Sequence, residues 1–546
     1  MSDHLVPDFM QNGENFADDR EDISVSIAEN REEGRSQLPS SLVWAIATAA
    51  AIFFLCSSLR HALFQSTAFD LGIFDQAIYL ISQNQTPFSS LMGIHILGDH
   101  AAVIYYPLAW LYKISPDVHW LLLVQAVALS LGAWPSWSLA RLAGLNQQQS
   151  RAIALIYLLY PVVFNINLFD FHPEVIALPA LLAAILAARL NKIVWFCTAI
   201  LLVLSCKAVL SLTVAATGLW LFFCEKKQRC GAIALLLGAA WFLIASQKII
   251  PFFSGSEVAG VGRYSYLGKS VLEIIINLIL KPQLVLGKIL SFDTFKYLFL
   301  LTLPMIWLLL PFSGKLRIQY LTALIPAIPT LLINILSDLP FQRSLAYQYS
   351  VPVIPFLLLA VIAKEETRKR EEARGNKEED KANNQQFFTT VNLPQLPHSK
   401  FGNLPFKNFR LPQLRLGIQL PRIMIIWSLI IFLFLGEYKD FYLYINRLDT
   451  WQATREAVAQ VQPQNSILTD NRLAPHFAHR PIVKLLSQIS PQTNLAEFQY
   501  ILLNLRHPWP DTEKIGDTLA NQLKKSPDFH LTYQKNEVLL FKRIAD

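Results

Sequence analysis

Charge is scarce in this chain. Asp, Glu, Lys and Arg make up 16% of its 546 residues, against 53% for the hydrophobic types. A soluble globular protein carries about a quarter charged residues, so the scarcity excludes a wholly soluble fold and points to repeated bilayer crossings. Cysteine is equally thin. The five cysteines, Cys56, Cys197, Cys206, Cys224 and Cys230, lie in or beside apolar runs and form no Cys-x-x-Cys pair. A disulfide framework and a zinc site are both disfavoured. The chain has no P-loop, no Gly-x-Gly-x-x-Gly after a strand, no Gly-x-Ser-x-Gly and no His-Glu-x-x-His. Nucleotide hydrolysis, dinucleotide binding, serine hydrolysis and zinc proteolysis lack their usual signatures.

The charge that is present is unevenly placed. Residues 1–40 hold ten acids and three bases and contain no apolar core, so they read as a disordered acidic cytoplasmic tail and not as a cleaved signal. The excess of basic residues elsewhere fits membrane orientation better than nucleic-acid binding. Apolar runs at 41–59, 120–142, 152–168, 175–190, 194–205, 209–223, 232–251, 295–310, 320–336, 351–363 and 423–435 give about eleven transmembrane helices. Basic residues at 141–151, 189–192, 226–229, 315–317 and in the 364–421 segment then share the side of the N-terminus, which the positive-inside rule makes cytoplasmic. Val271–Leu280 is apolar but runs into Lys281-Pro282, and reads as a helix lying on the outer surface. Two more surface helices are expected between the first two spans, one on the Phe74, Ala77, Ile78, Ile81 stripe and one within 101–114.

The expected fold is therefore mainly α: a polytopic helical membrane protein with a small C-terminal soluble α/β domain. Residues 41–363 form the membrane body, 364–421 a disordered cytoplasmic loop rich in mixed charge and then in Asn, Gln and Pro, 422–446 the last span, and 447–546 the extracytoplasmic domain.

The polar residues that interrupt this apolar chain are the candidates for chemistry. Asp70 and Asp75 follow the first span, where an unpaired carboxylate is expensive to keep. Either acid could act as a general base or cap a helix. Asp99 and His100 lie in the same outer loop. Asp170, His172 and Glu174 offer three possible ligands for a divalent metal ion, although Pro173-Glu174 is also a good helix start. Lys207 either snorkels or supplies a cation to an acid-rich site. Arg263, Tyr264 and Tyr266 suit a phosphate clamp or an interfacial belt, and Gln348 with Tyr349 suits a belt or a ligand contact. On the eleven-span topology all of these fall on the outer face, the layout of a site carried on loops above a helical scaffold.

Phe69-Asp70-Leu71-Gly72-Ile73-Phe74-Asp75-Gln76, Gly98-Asp99-His100, Leu168-Phe169-Asp170-Phe171-His172-Pro173-Glu174, Arg263-Tyr264-Ser265-Tyr266-Leu267-Gly268 and Gln348-Tyr349-Ser350 resemble, in this order, a bacterial family of predicted membrane proteins known as domain of unknown function 2079. Asp470-Asn471-Arg472-Leu473-Ala474-Pro475-His476-Phe477-Ala478-His479-Arg480 is similar to the distal motif of that family. The family's layout in turn looks like that of the GT-C glycosyltransferases, which take sugars from polyprenyl-phosphate donors. The resemblance implies a catalytic Asp70 or Asp75 in the first outer loop, Arg263 and Lys207 against a departing lipid phosphate, and the 170–174 motif holding a metal or orienting the acceptor. It implies membrane lipids and a polyprenyl-phosphate-linked sugar as partners. The chain departs from the family after Lys207, where Ala208 and Val209 stand in place of two acids. A transporter, a lipid carrier or a structural subunit of an envelope assembly is the competing expectation. A transporter or carrier calls for inverted repeats and ionisable residues near span midpoints, whereas here no repeat is evident and the acids sit at span ends. In a structural subunit the outer acids would be replaceable.

Overall fold

The structure, a computed structural model, describes residues 38–256, 259–309, 318–389, 420–463, 465–490 and 492–544. The acidic arm up to residue 37, the basic pair Lys315 and Arg317, and the Asn/Gln/Pro-rich stretch 390–419 lie outside the described residues.

Helices dominate because the apolar runs leave the backbone no partner except itself once water is excluded. Among the described residues six helices are long and apolar enough to cross a bilayer: Ser40–Ala62, His119–Leu142, Gln147–Phe169, Gln228–Ser254, Gln319–Leu336 and Leu420–Ile445. Shorter helices continue the body, including Glu174–Arg189, Ile193–Cys206 and Leu210–Phe223. Helix ends follow local chemistry. Asn146 accepts from the Gln149 amide at 2.9 Å while Gln149 returns a bond to the Asn146 amide at 3.1 Å, a reciprocal cap that starts the third long helix. Pro161 restarts that helix after a break at Tyr160.

Glycine sets the tightest packing. A Cβ on Gly218 would lie 2.4 Å from the Leu235 nitrogen, and one on Gly238 2.6 Å from that of Ala215. Leu210–Phe223 and Gln228–Ile244 thus approach backbone to backbone, as small residues allow between membrane helices.

Val271–Leu280 forms a ten-residue helix started by the Ser270 hydroxyl and ended at Lys281, and Pro282–Ile289 follows as a second short helix. At 1.5 Å per residue these reach only about 15 and 12 Å, short of the ~30 Å hydrocarbon core.

The loop expected over 364–421 needs correction in its first part. The helix that begins at Ile354 continues through Thr389. Its Glu, Lys, Arg and Ala residues have high helix propensity, and charged neighbours support it: Arg368 pairs with Glu365 at 2.8 Å and Arg370 with Glu366 one turn away.

The C-terminal segment folds around a five-stranded sheet of order β4-β3-β5-β7-β6, after a two-stranded ribbon β1 (Phe88–Ser89) and β2 (Ile94–His95) in the first outer loop. Strands β3 (Ile467–Thr469), β4 (Val483–Leu485) and β5 (Tyr500–Asn504) are parallel, while β6 (Phe529–Lys535) and β7 (Val538–Arg543) form an antiparallel hairpin beside β5. Asn536 and Glu537 both take positive φ, 48° and 62°, to turn that hairpin. Strand alternation gives the sheet two apolar faces. Ile501, Leu503 and Phe541 pack on Leu519 and Leu523 of helix Glu513–Leu523. Leu502, Leu540 and Val538 face the other way and are continuous with the core of the membrane body. The sheet is therefore built into the body and not hung beside it.

Candidate active site

The segment joining the first span to its surface helix positions both sequence-marked aspartates. Ala68–Gly72 winds as a single wide turn, with Phe69 out of helical geometry at ψ 31°, before helix Ile73–Ser82 begins. Five residues on a regular helix already separate two side chains by roughly 140°. Asp70 and Asp75 meet different partners. Asp70 Oδ1 lies 2.8 Å from His172 Nε2. Asp75 is buried and accepts from the Tyr112 hydroxyl at 2.6 Å, with His479 Nε2 at 2.9 Å.

His172 is held by aromatic contacts. Phe169 stacks on it at 5.4 Å and Phe74 meets it edge-on at 5.8 Å. Its Nδ1 sits 3.3 Å from the Asp170 carbonyl, which can only accept, so Nδ1 carries a proton there. Nε2 then faces the Asp70 carboxylate, and a second proton is shared across that contact. Burial works against the imidazolium, but the Asp70 carboxylate outweighs it and raises the His172 pKa.

Asp170, two residues earlier, points away. It ends helix Pro161–Phe169 at φ 124°, ψ 172°, a conformation that non-glycine residues rarely adopt. Arg60 forms an ion pair with its carboxylate, and Thr67 donates from its amide at 2.9 Å and from its hydroxyl at 2.8 Å. These three contacts offset the strain and tie the first span to the 170–174 turn.

Glu174 opens the helix Glu174–Arg189, and its Oε1 accepts from Lys207 Nζ at 2.6 Å. Lys207 lies in an extended link between Ile193–Cys206 and Leu210–Phe223. The link is bound to the first outer loop by Ala208 N to His100 O at 2.9 Å and Ile104 N to Ser205 O at 3.0 Å. Asp99 follows in that loop, with its side chain 3.3 Å from its neighbour His100. Burial lifts the Asp99 carboxyl to about 6, with Lys207 opposing, Glu174 and Asp70 adding to the rise, and Arg263 opposing. Tyr349 feels the same four charges. Asp70, Asp99, His172, Glu174, Lys207, Arg263 and Tyr349 thus share one electrostatic neighbourhood.

Arg263 forms no salt bridge among the described residues; its guanidinium lies 5.6 Å over Tyr349 and 6.0 Å from the Phe341 ring centre. Tyr264 and Tyr266 are used elsewhere. Their hydroxyls donate to the carbonyls of Ile333 at 2.9 Å and Leu336 at 2.8 Å, fastening the loop to the end of a helix. Glu174 Oε2, Gln348 Oε1 and the Tyr105 hydroxyl are among the buried polar atoms without a hydrogen-bond partner in the described residues. Tyr105 also feels Asp99, Glu174 and Asp70. Buried polar groups left open in this way are suited to a ligand rich in hydroxyls.

A divalent ion does not fit the 170–174 motif as expected. Asp170 is taken by Arg60, His172 by Asp70 and Glu174 by Lys207, so the three donors diverge. No group of three or more His, Cys, Asp or Glu among the described residues is arranged to hold a metal.

Asp75 belongs to the seam between the first outer loop and the C-terminal segment. Tyr79 stacks on His479 at 4.6 Å beside it. Asn471 receives the Ala68 amide through both its carbonyl, at 3.0 Å, and its side chain, at 2.7 Å. Gln76 donates to the Arg480 carbonyl at 2.9 Å, and Gln488 to that of Leu91 at 2.5 Å. The sequence marked the 470–480 motif without assigning roles within it. Arg60, Thr67, Tyr105 and Tyr112 carried no separate signal, because each looks like an ordinary span end or interfacial aromatic.

The arrangement of helices, surface loops and C-terminal sheet is similar to that of a solved membrane-protein structure. It superposes on the crystal structure of ArnT from Cupriavidus metallidurans bound to undecaprenyl phosphate with a TM-score of 0.52 at 13% identity, covering 93% of this chain and 98% of that one. The apo structure of the same enzyme gives 0.49 at 12% identity, covering 92% and 98%. No curated protein sequence matches the chain. The profile of the family described as predicted membrane protein, DUF2079, matches residues 60–540, and the chain belongs to that family.

Proposed function

We propose that this protein is a membrane glycosyltransferase that moves a sugar from a polyprenyl-phosphate donor to an acceptor at the outer face of the plasma membrane. The observation that carries this reading is the Asp70–His172 pair, set beside partnerless buried oxygens and an unpaired arginine on a scaffold similar to that of ArnT. Asp70 is the general base. Its side chain is 19% exposed, so an acceptor hydroxyl can reach it, and His172 fixes its orientation. As the acceptor oxygen attacks the anomeric carbon, Asp70 takes its proton and the bond to the lipid phosphate breaks.

Arg263 meets the phosphate leaving group, since its charge is not already spent on a carboxylate. Lys207 neutralises Glu174 and leaves Glu174 Oε2 to orient a sugar hydroxyl, with Gln348 and Tyr105 adding further contacts. Asp99 tunes the field. Asp170 and Asp75 position segments and do not touch the reacting atoms. The N-terminus and the 364–421 segment are cytoplasmic, the chain makes eleven passes, and the C-terminal sheet lies outside, where it covers the site loop.

The test is a comparison of lipid-linked sugars and envelope glycoconjugates between a strain lacking the protein and the same strain carrying the wild type. Loss of one glycan modification together with build-up of its lipid-linked donor is expected. Identical profiles would remove the transfer reading.

A further inference from the structure

A second polar pocket lies away from the Asp70 site, between the end of the first span and the C-terminal sheet. Its cavity volume is about 30 Å³, and it opens to solvent at its mouth. Gln65, Arg447, Trp451, Arg472, Asn504 and His507 are among its walls. Two guanidiniums thus border one cavity, and neither forms a salt bridge among the described residues. Arg447 donates to the Gln65 side-chain oxygen at 2.5 Å. Arg472 lies 4.9 Å over Trp509 and reaches the His507 carbonyl only at 3.5 Å.

The carboxylates nearby are committed. Asp470, also in the wall, accepts from the amides of Arg472 at 2.8 Å and Leu473 at 3.0 Å. Asp449 holds Arg506 at 2.5 Å and His507 at 2.7 Å. Burial, then the neighbouring Arg447, lower Arg472 to about 10, with Asp470 opposing and Arg60 adding to the fall. Asp470 supplies one negative charge against the two guanidiniums. The second positive charge is left without a partner carboxylate, and a bound oxyanion accepting from both forks balances it.

We propose that this pocket is a binding subsite for an oxyanion, the phosphate or carboxylate group of a solute or glycan, separate from the Asp70 site and independent of the transfer reading. Because the pocket sits where the sheet meets the first span, its occupant would also fasten the sheet to the body.

The test uses the full-length protein purified in detergent. Thermal melting is followed with inorganic phosphate, with glucuronate, and with glucose as a neutral control, at constant ionic strength. Phosphate or glucuronate is expected to raise the melting temperature in a saturable way, and the stronger of the two identifies the anion class; glucose has no effect. Arg472→Gln and Arg447→Gln should each weaken the apparent affinity at least tenfold. Without anion, Arg472→Gln should melt at or above the wild-type temperature, because it removes one of two crowded charges. A wild type indifferent to both anions, or variants at 447 and 472 that shift as the wild type does, would overturn the proposal. So would an anion-free Arg472→Gln that melts well below the wild type, since the guanidinium would then be a structural prop.

Discussion

Asp70→Asn and Asp75→Asn make an informative pair, since each removes one charge and keeps side-chain size, yet the two acids sit in different surroundings. Asn at 70 can still bond His172 by donating its amide N–H to Nε2, which lies 2.8 Å from the Asp70 oxygen. The change replaces a charge-assisted bond by a neutral one and costs about 1 kcal/mol of stability. As the base, Asp70 is worth roughly 10²- to 10⁴-fold in rate, or about 3–5 kcal/mol of barrier. Asp75 is buried between Tyr112 and His479, so Asn there weakens two bonds inside the seam and costs about 2 kcal/mol or more of stability. Glycoconjugate analysis in the complemented deletion strain, with detergent melting of each purified variant, reads both quantities. The expected result is a nearly inactive, well-folded Asp70→Asn and a destabilised Asp75→Asn that keeps activity in proportion to the folded protein. Full activity in Asp70→Asn at normal abundance would refute the assignment of the base.

Three further outcomes follow from the same geometry. Glu174→Gln leaves Lys207 buried without its counter-charge and should cost about 3–5 kcal/mol, while Glu174→Gln combined with Lys207→Met should restore most of the melting temperature. His479 loses some basicity to burial but gains more from Asp75, so its folded pKa stands above the unfolded value near 6.5. Its contribution to docking of the sheet is therefore complete below that pH and lost as pH rises through the raised value; protease sensitivity of the C-terminal segment should climb on the alkaline side, and His479→Phe should flatten the change. Reporter fusions after Asn383 and after Ser526 should give opposite signals, and matching signals would break the eleven-pass topology.

Much of this protein is legible one segment at a time. Scarce charge and long apolar runs dictate helices in a membrane, because that choice depends only on what a local stretch of backbone can do without water. The motifs that interrupt those runs named Asp70, His172, Glu174, Lys207 and Arg263, since a charge at a membrane boundary stands out against its own neighbours. The helical continuation to Thr389 was also written locally, in residues of high helix propensity, but the polarity of that run masked it.

Pairing was decided only by the tertiary structure. Asp70 and Asp75 look equivalent in the chain. One meets His172 across 102 positions and the other meets His479 across 404. Asp170, His172 and Glu174 look like one ligand set, yet Arg60, Asp70 and Lys207 draw them in three directions. A side chain's composition and spacing fix its chemistry. Which charge neutralises it depends on which distant loops the packed helices bring within about 3 Å, and no local pattern encodes that distance.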